Sequence, residues 1–126
     1  MGLKIFIVIL NFMIPVTMLF FGVKFRKHGP KNINGIYGYR TSMSMKNKET
    51  WEFAHQYCGR LWIKLGLVML IITSIASGLV FMFDDNVWGI IETVLVTAQT
   101  IILIASIFPV ESALKKNFDE NGNRKN

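Results

Sequence analysis

Cysteine is nearly absent from the sequence: Cys58 stands alone among 126 residues. A single thiol excludes an internal disulfide, and no CxxC or paired Cys/His spacing offers a structural zinc site. Neither a metal nor another cofactor is therefore expected. Charge is missing altogether from two long stretches, Ile5–Val23 and Leu65–Phe83, and a third, Val87–Val110, holds only Glu92. No internal repeat or coiled-coil heptad organises the chain. No A-x-A-like cleavage site follows the first apolar run, and its cationic cluster Lys24, Arg26 and Lys27 lies after it rather than before. A secretory signal is accordingly the weaker reading of that run.

What is present is oil in three blocks. Hydrophobic residues make up 52% of the chain and the mean hydropathy is +0.39. Each block approaches the roughly 20 residues that a helix needs to cross about 30 Å of hydrocarbon. A soluble unit of this size could not bury three such helices on all sides. The pattern predicts an all-α membrane protein with one domain and three transmembrane helices, at about 5–23, 61–83 and 87–110. A loop over 24–60 separates the first two spans, and a polar tail over 111–126 is expected to fray.

Lysine and arginine set the expected orientation. Seven of the fourteen fall between Lys24 and Lys48, Arg60 and Lys64 precede the second span, and Lys115, Lys116, Arg124 and Lys125 lie in the tail. Only Lys4 is left for the other side, beside Asp84 and Asp85 of the short second connection. This bias predicts a multi-pass protein of the bacterial plasma membrane with its N-terminus outside and its C-terminus in the cytoplasm. The net charge of +6 is then explained by anionic lipid heads, with no nucleic-acid partner required.

Along the first span, Asn11, Pro15 and Thr17 suggest a mild kink that faces the bundle, with the carbonyl freed by Pro15 satisfied from a neighbouring helix. Gly29-Pro30, Asn34-Gly35 and Gly38 mark His28–Tyr39 as a loop. A helix should begin near Ser44 or Asn47, with Glu49 in its first turn, and run unbroken to about Phe81. Such a helix exceeds the hydrocarbon thickness, so its first turns belong to the cytoplasm or the headgroup layer. Arg60 and Lys64 mark the point of entry.

The most polar segment is GYRTSMSMKNKETWEFAHQYCG, residues 38–59. On its helical part, Trp51, His55, Cys58 and Trp62 share one face. His55 and Cys58 could reach one ion, with His28 as a further ligand, but too few others are at hand. A Cys58–His55 nucleophile lacks a third orienting residue. The plainer reading makes Trp51, Tyr57 and Trp62 interfacial anchors and packs His55 and Cys58 in the bundle. Arg40 and Glu49 are candidates for a charge pair fixing the loop to the helix.

The same string resembles the signature of the SdpI family of small bacterial membrane proteins. Matching positions include Gly38, Tyr39, Arg40, Thr41, Ser44, Met45, Lys46, Asn47, Glu49, Thr50, Trp51, Phe53, Ala54, Tyr57 and Gly59, and the likeness extends over roughly residues 35–110. Ser42, Met43 and His55 depart from the family's usual proline, basic residue and asparagine. The resemblance implies an immunity protein giving resistance to a secreted antimicrobial peptide toxin, and a receptor that holds a cytoplasmic repressor when toxin is present. The namesake has more spans than this chain. On this basis Tyr39, Arg40, Thr41, Ser44, Asn47, Glu49, Trp51 and His55 are candidate binding residues, and no catalytic residue is assigned.

Three intramembrane polar residues, Asn11, Glu92 and Gln99, complete the candidate set. Glu92 and Gln99 lie on one helix face, where they would hydrogen-bond Asn11, Thr73, Ser74 or Ser77, or line a site open to the outer leaflet. Expected partners are the lipid bilayer, a peptide toxin, a cytoplasmic regulator and a second copy of the chain. An oligomeric channel or transporter, and a membrane enzyme using the 38–60 segment, stand as alternatives.

Overall fold

The computed structural model describes residues 2–27 and 29–125. Four helices follow in order: α1 (Gly2–Lys27), α2 (Lys48–Val80), α3 (Asp85–Ala105) and α4 (Ile107–Asn117). Three apolar helical stretches, with α3 and α4 counted as one, are long enough to cross a membrane. The chain is thus an all-helical protein with three candidate spans. His28, the proposed extra metal ligand, lies outside the described residues, and no group of three metal-binding side chains occurs among those that are described.

Helix boundaries follow from local chemistry. Asn47 caps α2: its Oδ1 accepts from the Thr50 backbone N–H at 2.9 Å, while the Thr50 hydroxyl accepts from the Asn47 N–H at 3.0 Å. This reciprocal box satisfies two donors that a helix start leaves free. Asp84 caps α3 through the Val87 N–H at 3.0 Å. At 33 residues α2 extends roughly 50 Å, against about 30 Å of hydrocarbon. Its first three turns are rich in charge and covered by the loop and the tail, and a helix of this length does not fit wholly within the apolar layer.

α1 and α2 pack along most of their length, and two glycines bring them close. A Cβ on Gly59 would sit 2.5 Å from the Arg26 nitrogen and 2.7 Å from the Gly22 carbonyl oxygen. Gly22 faces the same contact from the other side. Elsewhere the spans present their apolar side chains outward: Ile71, Ile75, Ile90 and Val94 are well exposed, as a lipid solvent requires.

The tail differs from expectation. Pro109 has no N–H to offer the Ala105 carbonyl, and the helix breaks next to that residue, at Ser106. It does not stop there. Pro109 falls in the first turn of α4, where a missing donor is tolerated, and α4 continues to Asn117. Beyond it, Phe118 forms an isolated antiparallel bridge with Arg124, and Gly122 makes the reversal at φ 84°. Val110, Leu114 and Phe118, spaced by four residues, are fully buried with Phe25, Tyr39, Ala54 and Cys58. The best-packed core therefore sits at the loop end of the molecule.

Because the Gly59 contact is backbone against backbone, Gly59→Ala is expected to destabilise the protein by about 1–3 kcal/mol. Gly78→Ala, with open space around it, should not. Thermal unfolding of both variants in detergent checks this.

Candidate functional site

The signature segment is built around His55. Its Nε2 accepts the Tyr39 backbone N–H at 2.8 Å, and its Nδ1 lies 2.8 Å from the Trp51 carbonyl oxygen. Only the neutral ring with the proton on Nδ1 satisfies both contacts. The ring lies edge-on to Phe25 at 4.9 Å and against Trp51 at 4.3 Å. Gly29 and Gly38 flank it so closely that a Cβ on either would come within 2.7 Å of the imidazole. Gly38 also needs glycine for its φ of 115°. Desolvation lowers the pKa of His55.

The other signature residues also bind their own chain. The Tyr39 hydroxyl donates to Glu111 Oε1 at 2.9 Å, and burial beside that carboxylate raises its pKa. The Ser44 hydroxyl accepts the Thr41 N–H and donates to the Tyr39 carbonyl oxygen; the Thr41 hydroxyl accepts the Ser44 N–H. Asn47, besides capping α2, donates from Nδ2 to the Gly122 carbonyl oxygen at 2.7 Å. Trp51 donates from Nε1 to the Pro30 carbonyl oxygen at 2.7 Å. Sequence reasoning missed Glu111, Thr50 and the role of Gly29 as spacers and partners. Only Thr50, three residues after a capping Asn, left a local signal.

Two expectations are corrected here. Arg40 and Glu49 do not pair: Arg40 Nε donates to the Asn34 carbonyl oxygen at 3.1 Å, and Glu49 takes Arg124 of the folded tail at 2.7 Å. Trp51 is no interfacial anchor, because it is wholly buried behind the loop. The shared face of Trp51, His55, Cys58 and Trp62 does point inward, with Trp62 donating to the Ser106 hydroxyl at 3.0 Å.

Within the spans, Gln99 bridges all three helices. Its Nε2 donates to the Asn11 carbonyl oxygen at 3.0 Å and to the Thr73 hydroxyl at 2.9 Å. Pro15 is what frees that carbonyl, since it cannot donate to the residue four before it. Glu92 behaves differently. Its side chain is buried, 5% exposed, and among the described residues both carboxyl oxygens lack a partner, as do Trp88 Nε1 and the Ser77 hydroxyl. Ser74 instead bonds its own helix at the Leu70 carbonyl oxygen. At the same end, Lys4 reaches Asp85 at 3.2 Å and lies 5.7 Å above the Trp88 ring.

A groove of about 650 Å³ separates α1 from the α3–α4 junction. Met18, Phe21, Trp62 and Leu103 line it, and Tyr37, Tyr39, Arg40 and Thr41 stand at one end.

Fold and site together define a small three-span membrane protein whose longest helix is clamped at its start by a loop and a folded tail. A family model, the SdpI/YfhL protein family, matches residues 31–110. A Bacillus subtilis (strain 168) protein named "Uncharacterized protein YfhL" is 32% identical over 85 residues, which is 68% of this chain and 70% of that protein. The chain belongs to the SdpI/YfhL family. No solved structure matches it.

The His55 geometry sets a pH dependence. Its folded pKa lies below the ordinary value of about 6.5, so the unfolded chain takes up the proton first. Stability should be fully present above that value and fall as pH drops below it. His55→Asn should flatten this fall. His55→Ala, which strands the Tyr39 N–H, should cost about 1–3 kcal/mol at pH 8. Unfolding midpoints in detergent from pH 8 to pH 5 provide the measurement.

Proposed function

We propose that this is an immunity-type membrane protein that protects its own bilayer from a secreted cationic amphipathic peptide. In this reading the N-terminus and the Asp84–Asn86 turn face outward, and residues 24–60 with the C-terminal tail face the cytoplasm. Family membership supports the class, and the distribution of lysine and arginine supports the orientation.

The observation that carries the reading is Glu92. A carboxyl group inside an apolar bundle is expensive and is retained where it meets a partner, yet its oxygens have none among the described residues. The same end already holds a cation, because the Lys4 ammonium rests between Asp85 and the Trp88 ring. That ion pair is open to solvent at Asp85, 89% exposed, and such pairs contribute little. A cationic side chain of a peptide could displace Lys4 and continue inward to Glu92 while its apolar face lies against α1 and α3. The basic loop at the opposite end would then present a surface to a cytoplasmic regulator.

Expression in a toxin-sensitive bacterium should raise survival in the presence of the peptide. Glu92→Gln should weaken peptide binding about tenfold, equivalent to ~1.4 kcal/mol, at unchanged protein level in the membrane. No gain in survival with the wild-type chain would overturn the proposal. Ion flux through reconstituted liposomes, lost in Glu92→Gln, would favour an oligomeric channel instead.

A further inference from the structure

We infer that the groove between α1 and the α3–α4 junction is a seat for one anionic phospholipid, separate from the proposed peptide site at the opposite end. Its floor is apolar, formed by Met18, Phe21, Trp62 and Leu103. Two residues on its lining, Met13 and Ile104, are more than half exposed on the surfaces of spanning helices, so the groove opens sideways to lipid. From Met13 to Phe25 the wall rises over roughly 18 Å of helix. One leaflet contributes about 15 Å, half of the hydrocarbon thickness. The groove is thus as long as an acyl chain anchored at the loop-end surface.

A flexible hydrocarbon chain can follow this apolar, open-sided floor along its length.

The mouth supplies the chemistry for an anionic headgroup. Arg40 is exposed, gives only its Nε to the loop, and enters no ion pair among the described residues. Its two terminal nitrogens are left to meet phosphate in the forked geometry that guanidinium favours. Lys24 is held over the Tyr37 ring at 5.2 Å and adds a second positive charge at the rim. The Tyr37 hydroxyl is buried at the same end and has no partner among the described residues. The Glu111 carboxylate is engaged by the Tyr39 hydroxyl.

Native mass spectrometry of the chain released from vesicles of equal phosphatidylglycerol and phosphatidylcholine tests this. One phosphatidylglycerol should stay bound per chain. Arg40→Gln should reduce that retention about fivefold, the worth of one cation beside an anionic headgroup. Leu103→Trp, which fills the groove, should abolish it, and Ile104→Trp at the rim serves if that variant does not fold. Independently, phosphatidylglycerol brominated on its acyl chain should quench tryptophan fluorescence in the wild type and much less in Trp62→Phe. Equal retention of the two lipids, retention unaffected by Arg40→Gln and by groove filling, or a retained peptide in place of lipid would each overturn the assignment. Loss of lipid retention with survival intact would separate this site from the proposed immunity role.

Discussion

A backbone carbonyl without a donor cannot be left in hydrocarbon, and one such carbonyl organises the membrane part of this chain. Pro15 deprives Asn11 of its helical partner, and the Gln99 side-chain amide answers from α3 while also holding Thr73 of α2. The amide thus joins three helices at one depth. Without it, α1 would have an unsatisfied oxygen facing a neighbour, a penalty of several kcal/mol in lipid. The close approach of α1 and α2 at Gly22 and Gly59 lies further toward the loop end, and both contacts fix the same pair of helices.

At the loop end the solvent changes, and so does the way stability is obtained. Here aromatic and aliphatic side chains of four segments are buried together: Phe25 of α1, Tyr39 of the loop, Cys58 of α2, and Val110 and Leu114 of α4. Apolar burial works in water and supplies nothing against lipid tails, which accounts for where the core lies. His55 sits in the middle of that core as a neutral acceptor. The loop depends on it, since the imidazole accepts the buried Tyr39 N–H.

The spans were legible because hydrocarbon thickness imposes a length on uncharged runs, and the α2 start was legible because a capping Asn acts within three residues. That Trp51, His55, Cys58 and Trp62 share one face followed from helical spacing alone, whereas its inward direction was expected only of His55 and Cys58. The Asn11–Gln99 contact was anticipated as one of several pairings, since the polar residues inside the spans were few. Tertiary choices were harder to read. Glu49 had two cationic suitors, and only the folded tail decides for Arg124 over Arg40. The tail itself was misread because its polar composition concealed Val110, Leu114 and Phe118, a four-residue spacing that needs a core already in place. Trp51 resembled an interfacial anchor because nothing local shows that Pro30 folds back over it.

The groove follows from these same contacts. Pro109 breaks the last span beside Ser106, and Trp62 donates to the buried Ser106 hydroxyl, drawing the α3–α4 junction toward α2. Gln99 meanwhile pins α3 to α1 about two turns earlier. Between a pin to α1 and a pull toward α2, α3 must part from α1 on the loop side of Asn11. The gap opens where Met18 and Phe21 face Leu103, and it ends under the loop that His55 holds in place. A proline in each of two spans, one requiring an outside donor and the other shifting a helix axis, is enough to produce a lipid-facing cleft with a cationic mouth.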